Sequence, residues 1–122
     1  MPYVPRREHF DHIGLVTDTE KPGEGIEAQQ RVWLTNPRKS VAGVEWLRWE
    51  ADSPIFNRVR YEPHVSYRVR DLDEALEGHT LVHGPLEVGD GFCRYAFVDI
   101  EGVLVEFMQY RDFDEEGWFS EL

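Results

Sequence analysis

DIEGVLVEFMQY, Asp99 to Tyr110, is the stretch from which the rest of the chain is read. A turn-forming start followed by an apolar run predicts a strand, and a strand sends successive side chains to opposite faces. Val103, Val105 and Phe107 then point one way, and Leu104, Glu106 and Met108 the other. An ionised carboxylate between Leu104 and Met108 is costly to bury unless a cation, a hydrogen-bond donor or a metal stands beside it. Glu106 needs a partner.

Two histidines offer one. DHIGLVT (Asp11 to Thr17) and PHVSYRV (Pro63 to Val69) read alike, each a helix-disfavouring residue, a histidine and a short β-branched run that predicts a strand. An earlier predicted strand, GVEWLRW (Gly43 to Trp49), carries Glu45 between apolar neighbours. The chain therefore reads as two copies of one unit, each opening on a strand histidine, His12 or His64, and closing on a strand glutamate, Glu45 or Glu106.

The boundaries follow from that repetition. The first repeat covers about 9–50, a linker about 51–62, the second repeat about 63–110, and a tail 111–122, all in one domain. After the first strand, DTEKPGEGIEAQQ is broken by Pro22, Gly23 and Gly25 and predicts no more than a frayed turn. A hairpin of QRVWLTN (Gln30 to Asn36) and VEWLRW follows, joined through PRKSVAG. In the linker, a turn of helix is expected after Ser53, with Pro54 at its first position. In the second repeat, RDLDEALEG predicts a short helix capped by Asp71, striped by Leu72, Ala75 and Leu76, and ended by Gly78. HTLVHGPLEVGDG and FCRYAFVD supply two more strands.

His12 in DHIGL, Glu45 in VEWL, the ADSPI segment, His64 in PHVSYRVRDLDEAL, the DIEG turn and Glu106 in VLVEF together resemble the vicinal oxygen chelate superfamily. That superfamily includes glyoxalase I, methylmalonyl-CoA epimerase, extradiol dioxygenases and the fosfomycin- and bleomycin-resistance proteins. The resemblance spans roughly residues 9 to 110. It implies an α+β fold of two βαβββ-type repeats forming a curved, cup-like mixed sheet around a cavity. The chain departs from that pattern in lacking a clear helix in its first repeat, where Val44 and Trp46 would otherwise be covered. The C-terminal tail, with Phe113, Trp118, Phe119 and Leu122, is one expected cover and a second subunit the other.

The resemblance further implies a metal centre with His12, Glu45, His64 and Glu106 as ligands. Such a mixed nitrogen and oxygen set suits zinc, nickel, cobalt, manganese or iron. A substrate with adjacent oxygens would chelate the ion, and Glu106 or Glu45 would move a proton as catalytic base beside a carbonyl, making the protein a lyase or isomerase of glyoxalase or epimerase type. Extradiol cleavage is a subcase with iron. The alternative on the same fold is a metal-free protein that sequesters a small molecule, and a cupin-like barrel is disfavoured because no His-x-His occurs. Arg68 and Arg94 are candidates to hold a substrate carboxylate or phosphate by forked hydrogen bonds, against a plain reading as ion pairs, and Trp49 is a candidate pocket wall. Trp33 shares the pocket-wall reading with Trp49, against a plain reading of both as core; His79 and His83 read as surface residues outside the ligand set, and Cys93 as an ordinary strand residue.

Composition sets outer limits. In 122 residues there is room for one core, and 41% hydrophobic content predicts a folded chain. A net charge of −11 repels phosphate backbones and anionic membranes, so neither nucleic acid nor membrane is an expected partner. One cysteine excludes an intramolecular disulfide and a Cys-rich zinc site. With no leader-like or membrane-length apolar run, the expectation is a cytoplasmic protein, and the open edges of the sheet predict a homodimer.

Overall fold

The structure, a computed structural model, describes residues 1–116. Eight strands form one mixed sheet: β1 (Phe10–Val16), β2 (Gly25–Glu27), β3 (Val32–Leu34), β4 (Val44–Trp49), β5 (His64–Arg68), β6 (Thr80–Val88), β7 (Cys93–Ile100) and β8 (Val103–Tyr110). Their spatial order is β2-β3-β4-β1-β5-β8-β7-β6. The halves correspond, since β1 lies parallel to β4 and β5 parallel to β8. They join where β1 and β5 run antiparallel at the centre.

Alternation along β7 and β8 divides the second half into two apolar layers. Tyr95, Phe97, Leu104 and Met108 face the inside of the curved sheet with Val59. Ala96, Val98, Val105 and Phe107 face outward and are covered by Leu72 and Ala75 of a helix, α2 (Leu72–Leu76), as the alternating pattern around Glu106 predicts. Asp71 caps α2 by accepting the Glu74 backbone N–H at 3.1 Å.

The first half is thinner. Residues 17–24 form no helix, as expected, but Gly25–Glu27 is a strand that the glycine-punctuated sequence hides. Lys21 lies 4.3 Å from the Trp46 ring centroid and partly covers the face that a helix would fill. Phe10 and Ile13 on this side are 42% and 38% exposed. The described part of the tail does not cover them: Phe113 packs on His9 and beneath Arg70, and Trp118, Phe119 and Leu122 lie outside the described residues.

The linker helix is displaced from its expected position. α1 spans Arg58–Tyr61 and is capped by Asn57, whose Oδ1 accepts the Val59 N–H. Ser53 instead turns its hydroxyl inward, donating to the Gln30 carbonyl at 2.5 Å. No helix among the described residues is long and apolar enough to cross a membrane.

Candidate metal centre

The central antiparallel pair brings the two histidines together. Register sets His12 opposite Ser66 and Gly14 opposite His64, so each ring stands over the small residue two positions past the other histidine. Gly14 is required there, because a Cβ on it would lie 2.0 Å from His64 Cε1. Glu106, on β8 beside β5, pairs in register with Ser66 and completes the group. One ligand-type atom from each of His12, His64 and Glu106 lies within 4.8 Å of the others, and all three residues are buried.

The contacts are close. His12 Nε2 lies 3.4 Å from Glu106 Oε1 and 3.5 Å from Glu45 Oε1, and His64 Nε2 lies 3.5 Å from Glu106 Oε1. Glu45 therefore leans on His12 at the wall of the cavity and stands outside the three-residue group. Glu50 turns away to accept the Trp33 indole N–H at 3.0 Å, so it is Glu45 that faces the cavity.

His12 is held at both nitrogens. Asp11 Oδ1 accepts from Nδ1 at 2.6 Å. Ser66 Oγ lies 3.0 Å from Nε2 and donates its own proton to Glu106 Oε1 at 2.5 Å. A hydroxyl has one proton, so Nε2 donates to the serine oxygen and the ring carries both protons. Burial opposes that charge, but Glu45's carboxylate and the Asp11 hydrogen bond outweigh it and hold the His12 pKa well above the usual imidazole range. Burial likewise raises Glu106, and the His12 and His64 rings, 3.4 and 3.5 Å from its Oε1, overcome it, bringing it down to about 2.

Asp11 is adjacent to His12, where a regular strand would point it to the other face. A register shift between Phe10 and His12 turns Asp11 and His12 both inward. Besides His12, the Asp11 carboxylate accepts from Arg38, from Arg68 Nε at 2.9 Å and from the Tyr110 hydroxyl at 3.2 Å. Burial raises its pKa, yet His12 and Arg38 carry it below the ordinary carboxylate range. Arg68, expected to fork a substrate anion, is thus spent on Asp11 and on the Phe113 carbonyl. Arg94 reaches Asp73 at 3.4 Å, on the α2 side.

His64 differs. It is 3% exposed, yet neither ring nitrogen has a hydrogen-bond partner among the described residues. The ring is wedged edge-on against Phe97 at 5.1 Å and faces a cavity of about 30 Å³. Trp49, Tyr95, Phe97, Met108 and Val59 form part of its wall. Volume on this scale admits an ion or a water. No lysine or arginine is among the lining residues.

His12, His64 and Glu106 fit a divalent ion chemically. His12 Nε2 and His64 Nε2 lie 3.4 and 3.5 Å from Glu106 Oε1, separations that two ligands bound at about 2.0–2.2 Å to a common centre span, and two imidazoles with a carboxylate are a usual donor set for zinc and its neighbours. The sequence reading found these three and Glu45. It passed over Asp11 and Ser66, and read His83 as a surface residue; the structure turns His83 inward against Phe97, where β6 loses regular register.

No protein-family model matches the chain, and no curated protein matches it. Solved structures do. The chain is similar to a hypothetical protein from Bacillus halodurans C-125, with a TM-score of 0.63 and 21% identity over 88% of this chain and 97% of that one. It is also similar to methylmalonyl-CoA epimerase from Mycobacterium tuberculosis, with a TM-score of 0.55 and 18% identity over 92% of this chain and 94% of that one. At such identities the likeness is one of fold.

Proposed function

We propose that the chain is a metal-dependent lyase or isomerase of glyoxalase or epimerase type, acting next to a carbonyl of a small substrate with adjacent oxygens. The observation that carries this reading is His64, an imidazole shut away from water whose nitrogens have no hydrogen-bond partner among the described residues, one of them facing Glu106 at 3.5 Å. Burying polar nitrogens without partners is costly, and a metal ion compensates one of them outright.

His12, His64 and Glu106 would hold the ion, whether zinc, nickel, cobalt, manganese or iron. When bound, it would supply a Lewis acid for charge developing on two neighbouring oxygens. Glu45, against His12 but outside the ligand group, is the residue we assign to take the proton from carbon. Asp11 would keep the His12 ring in place at Nδ1, while Nε2, which meets Ser66 Oγ in the metal-free protein, would give up its proton to bind the ion. Trp49, Phe97 and Met108 wall the site against water.

The fold neighbour that is a methylmalonyl-CoA epimerase supports the reaction class. Its thioester is not part of the proposal, because no described residue of the cavity lining is a lysine or arginine that could meet CoA phosphates. The sequestration alternative needs no ligand set, whereas His12, His64 and Glu106 stand together as one group.

Elemental analysis of the purified protein and of His64→Ala tests the reading. Stoichiometric metal in the parent and its loss in the variant are expected. A parent that stays empty when offered zinc, nickel or manganese overturns it.

A further inference from the structure

A chain of hydrogen bonds running in from the sheet edge ends on a tyrosine in the cavity wall, and the direction of each bond follows from the one before. Asn57 Oδ1 accepts the Val59 N–H at 3.0 Å, which orients the amide and leaves Nδ2 to donate to His83 Nδ1 at 2.9 Å. A neutral imidazole that accepts at Nδ1 carries its proton on Nε2. Burial lowers the His83 pKa and favours that neutral form. His83 Nε2 donates to Gln30 Oε1 at 3.1 Å, which in turn orients the Gln30 amide. Gln30 Nε2 then donates to the Tyr95 hydroxyl oxygen at 2.7 Å.

The link is well anchored. Gln30 is buried, its backbone N–H donating to Glu27 Oε2 at 2.7 Å and its carbonyl accepting from Ser53. Tyr95 receives a hydrogen bond on its oxygen, so its own proton is left to give, and no described residue accepts it. The residue lines the same cavity as His64, Glu45 and Glu106. Register places it opposite Met108 on the face where its neighbour Phe97 pairs with Glu106. Burial, reinforced by the charges of Glu106 and Glu27, raises its pKa, so the group stays a phenol.

We propose that Tyr95 donates a hydrogen bond to an oxygen of the ligand in this cavity, and that Asn57, His83 and Gln30 are positioning residues that turn its proton there. The proposal rests on the metal-site reading above and adds to it a binding group for an oxygen that is carbonyl-like or gaining negative charge. It also gives Gln30 and His83, which no ligand set includes, a role at the site.

The test uses the full chain loaded with cobalt(II), with acetohydroxamate as a bidentate oxygen probe followed by visible absorption. Tyr95→Phe is expected to hold cobalt as tightly as the parent, with the same spectrum before the probe is added, and to bind acetohydroxamate about tenfold more weakly, the scale of one hydrogen bond. Gln30→Glu keeps the phenol but offers it a carboxylate acceptor, so it is expected to weaken the probe comparably. This second variant decides the matter if Tyr95→Phe does not fold. Cobalt-loaded variants that bind the probe as tightly as the parent overturn the proposal and leave the metal site standing. A parent that takes up no cobalt overturns the metal site and this proposal with it.

Discussion

The two halves of the sheet set a histidine at the same place and treat it differently. His12 follows Asp11, is gripped by that carboxylate at Nδ1, and meets Ser66 at Nε2. His64 follows Pro63, which brings no side-chain acceptor, and both of its nitrogens are without hydrogen-bond partners among the described residues. The backbone pairing fixes where both rings stand, through Ser66 under one and Gly14 under the other. The flanking residues decide which ring is organised in advance and which is left for a ligand to satisfy. The strand pairing thus supplies a symmetric frame, and the chemistry lies in the departures from symmetry.

Breaking the Asp11 grip is expected to have the largest effect. Asp11→Ala leaves Arg38, Arg68 and His12 around a missing charge, and removing one partner of a buried ion pair costs about 3–5 kcal/mol. Pro63→Ala, the matching change in the other half, should stay within about 0.5 kcal/mol. Urea unfolding midpoints measure both, and equal shifts would remove the asymmetry on which the comparison stands.

Acid should expose the same buried carboxylates. In the metal-free protein, Asp11 and Glu106 have folded pKa values below their ordinary ones, Glu106 at about 2. Each therefore contributes stability above the unfolded carboxylate range near pH 4, and loses it as pH falls through the folded value. The urea midpoint is expected to drop steeply between about pH 4 and pH 2 and much less in Asp11→Asn. A flat acid limb in the parent would contradict the buried ionic site.

Next in size is Gly14→Ala. Its new methyl meets the His64 ring, and overpacking of this kind costs about 1–3 kcal/mol. Cobalt affinity should fall with it, because the displaced ring is a proposed ligand. Ser66→Ala, across the pair, removes a hydroxyl without crowding a ring and is expected to spare cobalt binding more. Competition with a chelator of known affinity ranks the two, and the reverse ranking would mean that His64 does not bind the ion.

Legibility in the sequence followed the range of the interaction. The alternation around Glu106 and the Asp71 cap are local patterns, and both are present as read. Strand β2 is three residues long between turns, too short to show a period. Asp11 escaped because regular alternation sends it away from His12, and only a register shift returns it. Arg68 is drawn to a carboxylate 57 positions earlier, and Tyr95 to Gln30 65 positions earlier. Such pairings exist only once the sheet is assembled, so no local motif announces them.

The smallest effects concern the outer faces, where one half has a helix and the other does not. α2 has five residues, too few to stand alone, and depends on its cap and on burying Leu72 and Ala75. Asp71→Ala should therefore cost about 1 kcal/mol. In the first half only an extended segment is available, and Lys21 over Trp46 is its visible contribution. A cation over an accessible ring is worth about 0.5–1 kcal/mol, so Lys21→Ala should shift the urea midpoint by less than Asp71→Ala does. If it shifts the midpoint by more, residues 17–24 cover their strands as effectively as a helix would, and the thinness of the first half is only geometric.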